Sequence, residues 1–385
     1  MIPYGKQEIT QNDINAVIDV LKSDFLTQGP QVPLFEKSII DEVNAEYAFA
    51  VNSATSALHI ACLALGVGVG DVVWTTPITF VASANCALYC GAEIDFVDID
   101  AITYNLSATK LKQKLQHAKE NKLPLPKVVI PVHLCGQPCE MDKIHALGKE
   151  YGFAIIEDAS HAIGGKYKGK PIGNCQYSDI TVFSFHPVKI ITTAEGGVAT
   201  TNNKILADKL DLLRSHGITR DGSLMKNKSH GGWYYEQIDL GFNYRMTEMQ
   251  AALGVSQISR LHDFVEKRNE LAANYDRLLA DIPIIVPKQH SDSYSGRHLY
   301  VIFLDLEKTT IGHKEFFEKL RENGIGVNLH YIPVYKQPYY QQYNFSSEMF
   351  PEAENYYAKA ISIPLFHTMT DDEQLMVVKV ISDLL

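Results

Sequence analysis

The clearest chemical signal in the sequence is a lysine in a constrained loop between two apolar segments. Lys189 lies in the run Phe183–Gly197, which follows a strand-like segment and ends in two consecutive glycines. A lysine held in this way can form a Schiff base with an aldehyde cofactor and move a proton, provided that its surroundings favour the neutral amine. The alternative is a surface lysine in a turn, because most lysines are exposed.

An acidic residue precedes this lysine in the chain, at the end of another apolar segment. Asp158 follows Phe153–Ile156, and His161 comes shortly after it. Ligands of α/β proteins bind at the carboxyl ends of parallel strands, and a carboxylate there can pair with a protonated pyridine nitrogen and keep a cofactor an effective electron sink. The alternatives are a helix cap for Asp158 and a partly buried, hydrogen-bonded residue for His161.

A third segment, Val51–Leu58, opens a predicted helix with small and hydroxyl residues. Free backbone N–H groups and the positive end of the helix dipole suit a phosphate there, although the same residues are ordinary N-caps. Ser184 adds a hydroxyl just before Lys189, and Phe80 can offer a flat ring for stacking. Together these features predict a pyridoxal phosphate (PLP) site.

These residues must be positioned by an alternation of strands and helices between Ser56 and Asn202. Short runs rich in valine and isoleucine predict buried parallel strands, at Asp71–Thr75, Glu93–Val97, Lys127–Val132, Ala154–Ile156, Ile180–Ser184 and Gly197–Thr200. Amphipathic stretches predict helices at Ser56–Leu65, Ser107–Glu120 and Met141–Glu150. The alternation predicts an α/β sandwich with helices on both faces of the sheet.

The C-terminal part has a different pattern. Thr247–Ala280 contains no proline and has helical spacing of apolar residues, so it predicts one long helix. A mixed α+β tail follows, with a strand ending at His330. We predict a large PLP-binding domain over residues 12–255 and a smaller α+β domain that consists of residues 256–385 together with residues 1–11.

The composition narrows the classes of protein. The chain has 385 residues, 46% hydrophobic and 21% charged, which is typical of a globular protein. Its net charge of −10 and lack of basic runs argue against a nucleic-acid partner. The six scattered cysteines predict a reducing compartment, and the absence of a signal-like N-terminus or a membrane-length apolar run predicts a cytoplasmic protein with no membrane partner.

With these residues in view, the chain resembles the DegT/DnrJ/EryC/StrS family of sugar aminotransferases. The resemblance runs nearly end to end, over Thr27–Pro30, Asn52–Leu58, Pro77–Phe80, Pro131–Leu134, Gly136–Pro138, Glu157–Ala159, the Lys189 motif, Arg214–Gly217 and Gly241–Met246. It implies the fold-type I, aspartate aminotransferase-like architecture with a mostly parallel central sheet.

The resemblance also implies roles for individual residues. Lys189 would carry the cofactor as an internal aldimine, and Asp158 would pair with the pyridinium nitrogen. Phe80 would stack on the ring, and His161 would lie near the ring oxygen. The phosphate would be bound by Ala54, Thr55 and Ser184, and by Asn243 of a neighbouring subunit, so a homodimer with shared sites is implied. Residues in family segments at the mouth are expected to bind substrate: Tyr4, Thr27, Gln28, His216, His330 and Tyr331.

Within the family, the runs Asn52–His59, Asp158–Ala162 and Phe183–Lys189 look like the branch that acts in pseudaminic acid synthesis. The expected reaction transfers an amino group to C4 of a UDP-linked 4-keto-6-deoxy-N-acetylhexosamine, with L-glutamate as the expected donor.

Several alternatives stay open at this point. The substrate can be another nucleotide-linked 4-keto sugar, of the bacillosamine or perosamine type, or the protein can be a non-enzymatic PLP-binding regulator. A related branch replaces the lysine with histidine and removes a hydroxyl group, and the presence of Lys189 argues for transamination instead. A metal site at Cys135-x-x-x-Cys139 with His133 is disfavoured, because zinc needs about four ligands.

Overall fold

The computed structural model describes residues 1–385. The helices are α1 (Gln11–Leu21), α2 (Gln31–Val43), α3 (Ala54–Ala64), α4 (Ala82–Tyr89), α5 (Ala108–Glu120), α6 (Met141–Tyr151), α7 (Lys204–Arg214), α8 (Glu248–Ile258), α9 (Leu261–Leu278), α10 (His313–Glu322), α11 (Pro351–Tyr357) and α12 (Asp371–Leu384). The strands are β1 (Tyr47–Val51), β2 (Val72–Thr75), β3 (Glu93–Phe96), β4 (Val128–Ile130), β5 (Ala154–Asp158), β6 (Lys166–Tyr167), β7 (Lys170–Pro171), β8 (Ile180–Ser184), β9 (Gly197–Thr201), β10 (Ile218–Thr219), β11 (Glu236–Gln237), β12 (Ile284–Ile285), β13 (Ser293–Tyr294), β14 (Tyr300–Leu304) and β15 (Ala360–Ile363).

Seven strands form the central sheet, in the order β1-β9-β8-β5-β4-β2-β3. All neighbouring pairs from β8 to β3 are parallel, and β9 runs antiparallel to both β1 and β8. Every residue of β4, β8 and β9 is buried, as expected for strands that are covered by helices on both faces. The predicted mostly parallel α/β architecture is therefore confirmed.

The strands predicted from the sequence agree with the sheet to within a few residues. The strand Ile180–Ser184 has the predicted bounds, and the strand predicted at Ala154–Ile156 continues to Asp158. Because Asp158 is the last residue of β5, its side chain lies at the carboxyl edge of the sheet.

The single long helix predicted over Thr247–Ala280 is wrong, because the chain turns between α8 and α9. The hydroxyl of Ser259 donates to the carbonyl oxygen of Ser256 (2.7 Å), and the N–H of Arg260 donates to Gln257 O (3.1 Å). Such side-chain bonds compete with helical ones. The guanidinium of Arg260 is also held by Asp13 (2.6 Å), a distant residue that the helical spacing could not reveal.

The C-terminal part has its own sheet, in the order β12-β14-β15. The strand predicted to end at His330 is wrong: between residues 325 and 330 only isolated bridges occur, from Ile325 to Ile2 and from Asn328 to Ser362. The N-terminal segment lies against this part, since Gly326 N–H donates to Ile2 O (2.7 Å). The domain boundary near residue 255 stays a prediction.

A buried arginine joins α9 to the chain that leads into β14. The guanidinium of Arg268 is 1% exposed and donates to the carbonyl oxygens of Arg297 and His298 (both 3.3 Å) and Leu365 (2.9 Å). Burial lowers its pKa to about 10. Leu299, next along the chain, donates its N–H to Cys135 O (3.4 Å), so this segment also lies against the turn that follows β4.

No helix of the structure combines the length and the apolar character that a membrane-spanning helix requires.

Candidate active site

Lys189 lies in the loop between β8 and β9, which are antiparallel neighbours. The loop is closed at its base by a bond from Phe185 N–H to Gly196 O and is tightened by a turn from Lys189 N–H to His186 O, both 2.9 Å. This path directs Lys189 into a cavity of about 870 Å³. Burial lowers the pKa of Lys189 to about 8, and the nearby Asp158 carboxylate opposes the shift. A useful fraction of the amine is therefore neutral near pH 7, as nucleophilic attack requires.

Asp158 lines the same cavity at the end of β5 and is 4% exposed. Its Oδ2 accepts a hydrogen bond from the hydroxyl of Ser83 (2.6 Å), and its Oδ1 accepts one from the N–H of Ser160 (3.1 Å). These donors fix the carboxylate in one orientation, while each oxygen retains acceptor capacity for a ligand. A buried anion of this kind can bind a cationic ring nitrogen.

The N-terminus of α3 forms an anion-binding turn beside these two residues. Ser53 caps the helix, because its hydroxyl accepts the N–H of Ser56 (3.1 Å). The N–H groups of Ala54 and Thr55 belong to the first turn, where donors have no partner within the helix. The hydroxyl residue Ser184, at the end of β8, lines the same cavity. Open N–H groups, a helix dipole and a hydroxyl together suit a phosphate.

Gly197 is the residue that lets the sheet approach this turn. A Cβ atom at Gly197 would lie 2.5 Å from the backbone nitrogen of Ala54, which is closer than any side chain tolerates. Gly197 pairs with Val51 of β1 on one side and with Ser184 of β8 on the other. A glycine is therefore required here to bring the helix turn and Ser184 to one edge.

His161 and Tyr331 form a hydrogen-bonded wall of the cavity. The N–H of Cys135 donates to Nδ1 of His161 (3.2 Å), so in the neutral imidazole the proton is on Nε2. Burial, with Lys189 and His330 nearby, holds the pKa of His161 well below its ordinary value. Nε2 lies 3.1 Å from the hydroxyl of Tyr331, which therefore accepts this bond and keeps its own proton for a ligand.

The remaining wall is aromatic. The ring of Phe80 is 58% exposed at the cavity, and its centroid lies 6.1 Å from that of Tyr331. The ring of Tyr4 lies 5.3 Å from that of His330, whose Nδ1 is 2.8 Å from the hydroxyl of Ser362. Phe80 thus presents a free face on which a flat ligand can stack.

Some predicted residues do not line this cavity within the single chain: Thr27, Gln28, His216 and Asn243. Thr27 and Asn243 are exposed. Gln28 lines a separate cavity of about 560 Å³, and His216 lies in a tight turn with φ of 63°. Their assignments stay predictions. The other predicted residues are brought together: Tyr4, Ala54, Thr55, Phe80, Asp158, His161, Ser184, Lys189, His330 and Tyr331.

Other polar residues line the cavity without having been singled out in the sequence: Asn52, Ser83, Ser160, His186, Glu195, Gln250 and Asn328. Among these side chains, Ser83 is the one whose hydroxyl contacts the Asp158 carboxylate. Its spacing from Thr79 is that of one helical turn, which is the only signal that the sequence offers. Its partner Asp158 is far away in the chain and becomes apparent only in the folded structure.

The His133–Cys139 segment is used for internal hydrogen bonds. Nδ1 of His133 accepts the N–H of Cys139 (3.2 Å), and its Nε2 lies 2.8 Å from Glu157 Oε2. The Cys139 thiol donates to Val132 O (3.2 Å). No group of three or more His, Cys, Asp or Glu side chains in the structure is arranged to hold a metal ion.

The residues present fit PLP. The first turn of α3 and Ser184 suit its phosphate, Asp158 its ring nitrogen, Phe80 its ring face, and Lys189 its aldehyde. The cavity lies within the usual size range of small-molecule sites.

Comparisons with known proteins agree with this geometry. The model of the DegT/DnrJ/EryC1/StrS aminotransferase family matches residues 7–382. The chain is 39% identical to the spore coat polysaccharide biosynthesis protein SpsC of Bacillus subtilis, over 100% of this chain and 97% of that protein. It is also 39% identical to the UDP-4-amino-4,6-dideoxy-N-acetyl-β-L-altrosamine transaminase of Campylobacter jejuni, over 96% and 93% of the two chains.

Among solved structures, the Helicobacter pylori aminotransferase PseC, described as involved in pseudaminic acid biosynthesis, matches with a TM-score of 0.90. It is 31% identical, and the match covers 100% of this chain and 98% of that one. Similar solved structures include PLP and PMP forms of a sugar aminotransferase. The cofactor is therefore PLP, and the chain belongs to the DegT/DnrJ/EryC1/StrS aminotransferase family.

Proposed function

We propose that this enzyme transfers an amino group from L-glutamate to C4 of a UDP-linked 4-keto-6-deoxy-N-acetylhexosamine, in the cytoplasm and as a step of pseudaminic acid biosynthesis. The observation that carries the proposal is the convergence of Lys189 and Asp158 on one cavity with an anion-binding turn at its edge. The similarity to the Campylobacter jejuni transaminase and to PseC supports the choice of substrate.

Each residue of the inner wall, defined as Ala54, Thr55, Asp158, Ser184 and Lys189, has a part in this reaction. When bound, PLP supplies the electron sink that stabilises a carbanion. Lys189 would hold the cofactor through Nζ, and once the amino donor displaces Nζ, the freed amine would accept and return the proton that moves during transfer. Asp158 keeps the ring nitrogen protonated. The N–H groups of Ala54 and Thr55 and the hydroxyl of Ser184 bind the phosphate.

Two further side chains contact the cofactor in this proposal. Phe80 stacks on the ring with its exposed face. His161 lies near the ring oxygen, and the bond from Cys135 N–H fixes its tautomer. Because His161 is buried among other basic groups, it stays neutral and adds no positive charge to the site.

The sugar nucleotide lies at the cavity mouth in this proposal. Tyr4, His330 and Tyr331 line the cavity, and the free hydroxyl proton of Tyr331 is available to an oxygen of the substrate. Thr27, Gln28 and His216 contribute from segments outside the single-chain cavity.

A homodimer completes the site in this proposal. Exposed Asn243 of one subunit reaches the phosphate bound to the other. The neighbouring segment presents exposed apolar side chains, with Trp233 and Leu240 each 75% exposed and Leu224 51% exposed. Large apolar side chains exposed along one segment are typical of a surface that another chain covers, and a two-fold symmetric contact would cover them in both subunits at once.

The test is incubation of the purified protein, PLP and glutamate with a panel of UDP- and dTDP-linked 4-keto-6-deoxy sugars, followed by mass and NMR analysis of the products. Amination of the UDP-linked N-acetylhexosamine at C4 is expected, with little reaction of the dTDP sugars. The similarity to SpsC makes another nucleotide-linked 4-keto sugar the second candidate, and preferential amination of such a sugar would replace our proposal. A PLP spectrum that glutamate leaves unchanged would instead favour a non-enzymatic regulator.

A further inference from the structure

The carboxylate of Asp158 stands at the end of a chain of buried hydroxyl groups. Ser83 Oγ lies 2.6 Å from Asp158 Oδ2, and Thr79 Oγ1 lies 2.8 Å from Ser83 Oγ. The two hydroxyl residues are 1% and 2% exposed, respectively, and both line the cavity. Thr79 lies in the loop before α4 and Ser83 lies in the first turn of that helix, and their hydroxyl groups meet directly.

The direction of these bonds follows from the chemistry of the groups. An ionised carboxylate can only accept hydrogen bonds, so the Ser83 hydroxyl must donate to Asp158. A hydroxyl has a single proton, so Ser83 must in turn accept the bond from Thr79. The chain is therefore polarised toward Asp158, and bonds in such a chain strengthen one another.

This direction matters because Asp158 is buried. Hydrogen bonds donated by fixed hydroxyl groups hold a buried carboxylate in one orientation. We propose that Ser83, supported by Thr79, is a positioning residue that keeps the Asp158 carboxylate aimed at the cofactor's ring nitrogen. The inference rests on the role proposed above for Asp158.

The experiment measures the dissociation constant of PLP from the full-length apo-protein by absorbance titration. Ser83→Ala is expected to weaken binding about 10-fold, the size of a lost hydrogen bond to a charged group, and Thr79→Val about 3-fold, because it removes only the supporting bond. Ser83→Thr keeps the hydroxyl and should restore affinity to within about 2-fold of the parent. Affinity of Ser83→Ala equal to that of the parent would overturn the inference.

Thr75→Val is a matched control. Thr75 is a fully buried hydroxyl residue on β2 whose only partner is Ile130 O (2.8 Å), away from the cavity. Loss of the Thr75 hydroxyl tests the general effect of removing a buried hydroxyl group, and the affinity for PLP should not change. If Ser83→Ala does not fold, Thr79→Val still tests the chain, because it leaves Ser83 in place.

A double-mutant cycle tests whether Ser83 affects PLP binding through Asp158 or only by stabilising the fold. In an Asp158→Ala background, Ser83→Ala should change PLP affinity less than about 2-fold, because the group that it serves is gone. An undiminished effect in that background would show that Ser83 acts independently of Asp158 and would overturn the inference. If Asp158→Ala alone changes neither the affinity nor the spectrum of bound PLP, the role proposed for Asp158 fails, and the inference fails with it.

Discussion

The inner wall is assembled within a single chain, whereas a second group of predicted residues is not. We call the regions around Thr27, Gln28, His216 and Asn243 the outer segments. The inner-wall residues lie at strand ends and at one helix terminus, and line a single cavity. The outer-segment residues lie outside that cavity, and most are exposed. The groups proposed to hold the cofactor are thus assembled within one chain, whereas the role proposed for Asn243 requires a second subunit.

The strongest test of the inner wall is Lys189→Ala, which should abolish turnover and the visible absorbance band of lysine-bound PLP, because no other amine lines the cavity. Transamination and absorbance spectra measure the effect. Lys112→Ala, at an exposed position on α5, is the matched control and should behave as the parent. Substantial activity of Lys189→Ala would remove the lysine from the proposed chemistry.

Asp158→Ala should retain some PLP but lose about 100-fold or more of its turnover, because an unprotonated ring nitrogen is a poorer electron sink. Asp158→Asn keeps the size of the side chain but loses its charge, and it should be impaired to a similar degree. Steady-state kinetics provide the measurement. If Asp158→Asn were as active as the parent, the charge would have no part in the reaction.

The outer segments are tested by mixing subunits. Lys189→Ala and Asn243→Ala chains should each be impaired, but heterodimers contain one site that is intact in both residues. After complete exchange of equal amounts, activity should approach about a quarter of that of the parent, because about half of the dimers are mixed and each has one working site. Verified exchange without any recovery would place Asn243 in its own chain's site or outside the chemistry.

A smaller effect is expected from pH. PLP reacts with the neutral amine, and burial lowers the pKa of Lys189 to about 8. The rate of PLP uptake by apo-protein should therefore rise about tenfold per unit as pH increases toward 8, and then level off. Stopped-flow absorbance measures this rate. A rise that continued to pH 10 would indicate a lysine with an ordinary pKa.

The smallest effects belong to substrate contacts. Tyr331→Phe removes the free hydroxyl proton and should raise the KM for the sugar nucleotide by about 3- to 10-fold, and alanine at Thr27, Gln28 or His216 should raise it less. Tyr339→Phe, at a tyrosine that is 61% exposed, is the control. An unchanged KM in Tyr331→Phe would show that the Tyr331 hydroxyl does not bind the substrate and only accepts the hydrogen bond from His161.

The same contrast explains how much the sequence could predict. Six of the seven central strands and the Lys189 loop were predictable because their signals are local, namely apolar runs and paired glycines; β1 was not among the predicted strands. The break between α8 and α9 was not predicted, and one of the contacts made at the break, from Arg260 to Asp13, joins residues that are distant in the chain. The contact between Ser83 and Asp158 was missed for the same reason. In the proposed dimer, Asn243 acts across a contact between two chains, and no local pattern in the sequence records such a contact.

The hydrogen bonds of Arg268 bear on which segments of the C-terminal part can move separately. Its guanidinium fastens α9 to the segment Arg297–His298, and the adjacent Leu299 is bonded to Cys135 beside His161. Because Arg268, Arg297, His298 and Leu365 all belong to the C-terminal part, a displacement of that part would carry these charge-assisted bonds with it. We therefore expect α9, the segment that leads into β14 and the chain at Leu365 to move as one body, and the bond from Leu299 to Cys135 to be among those that such a movement would break.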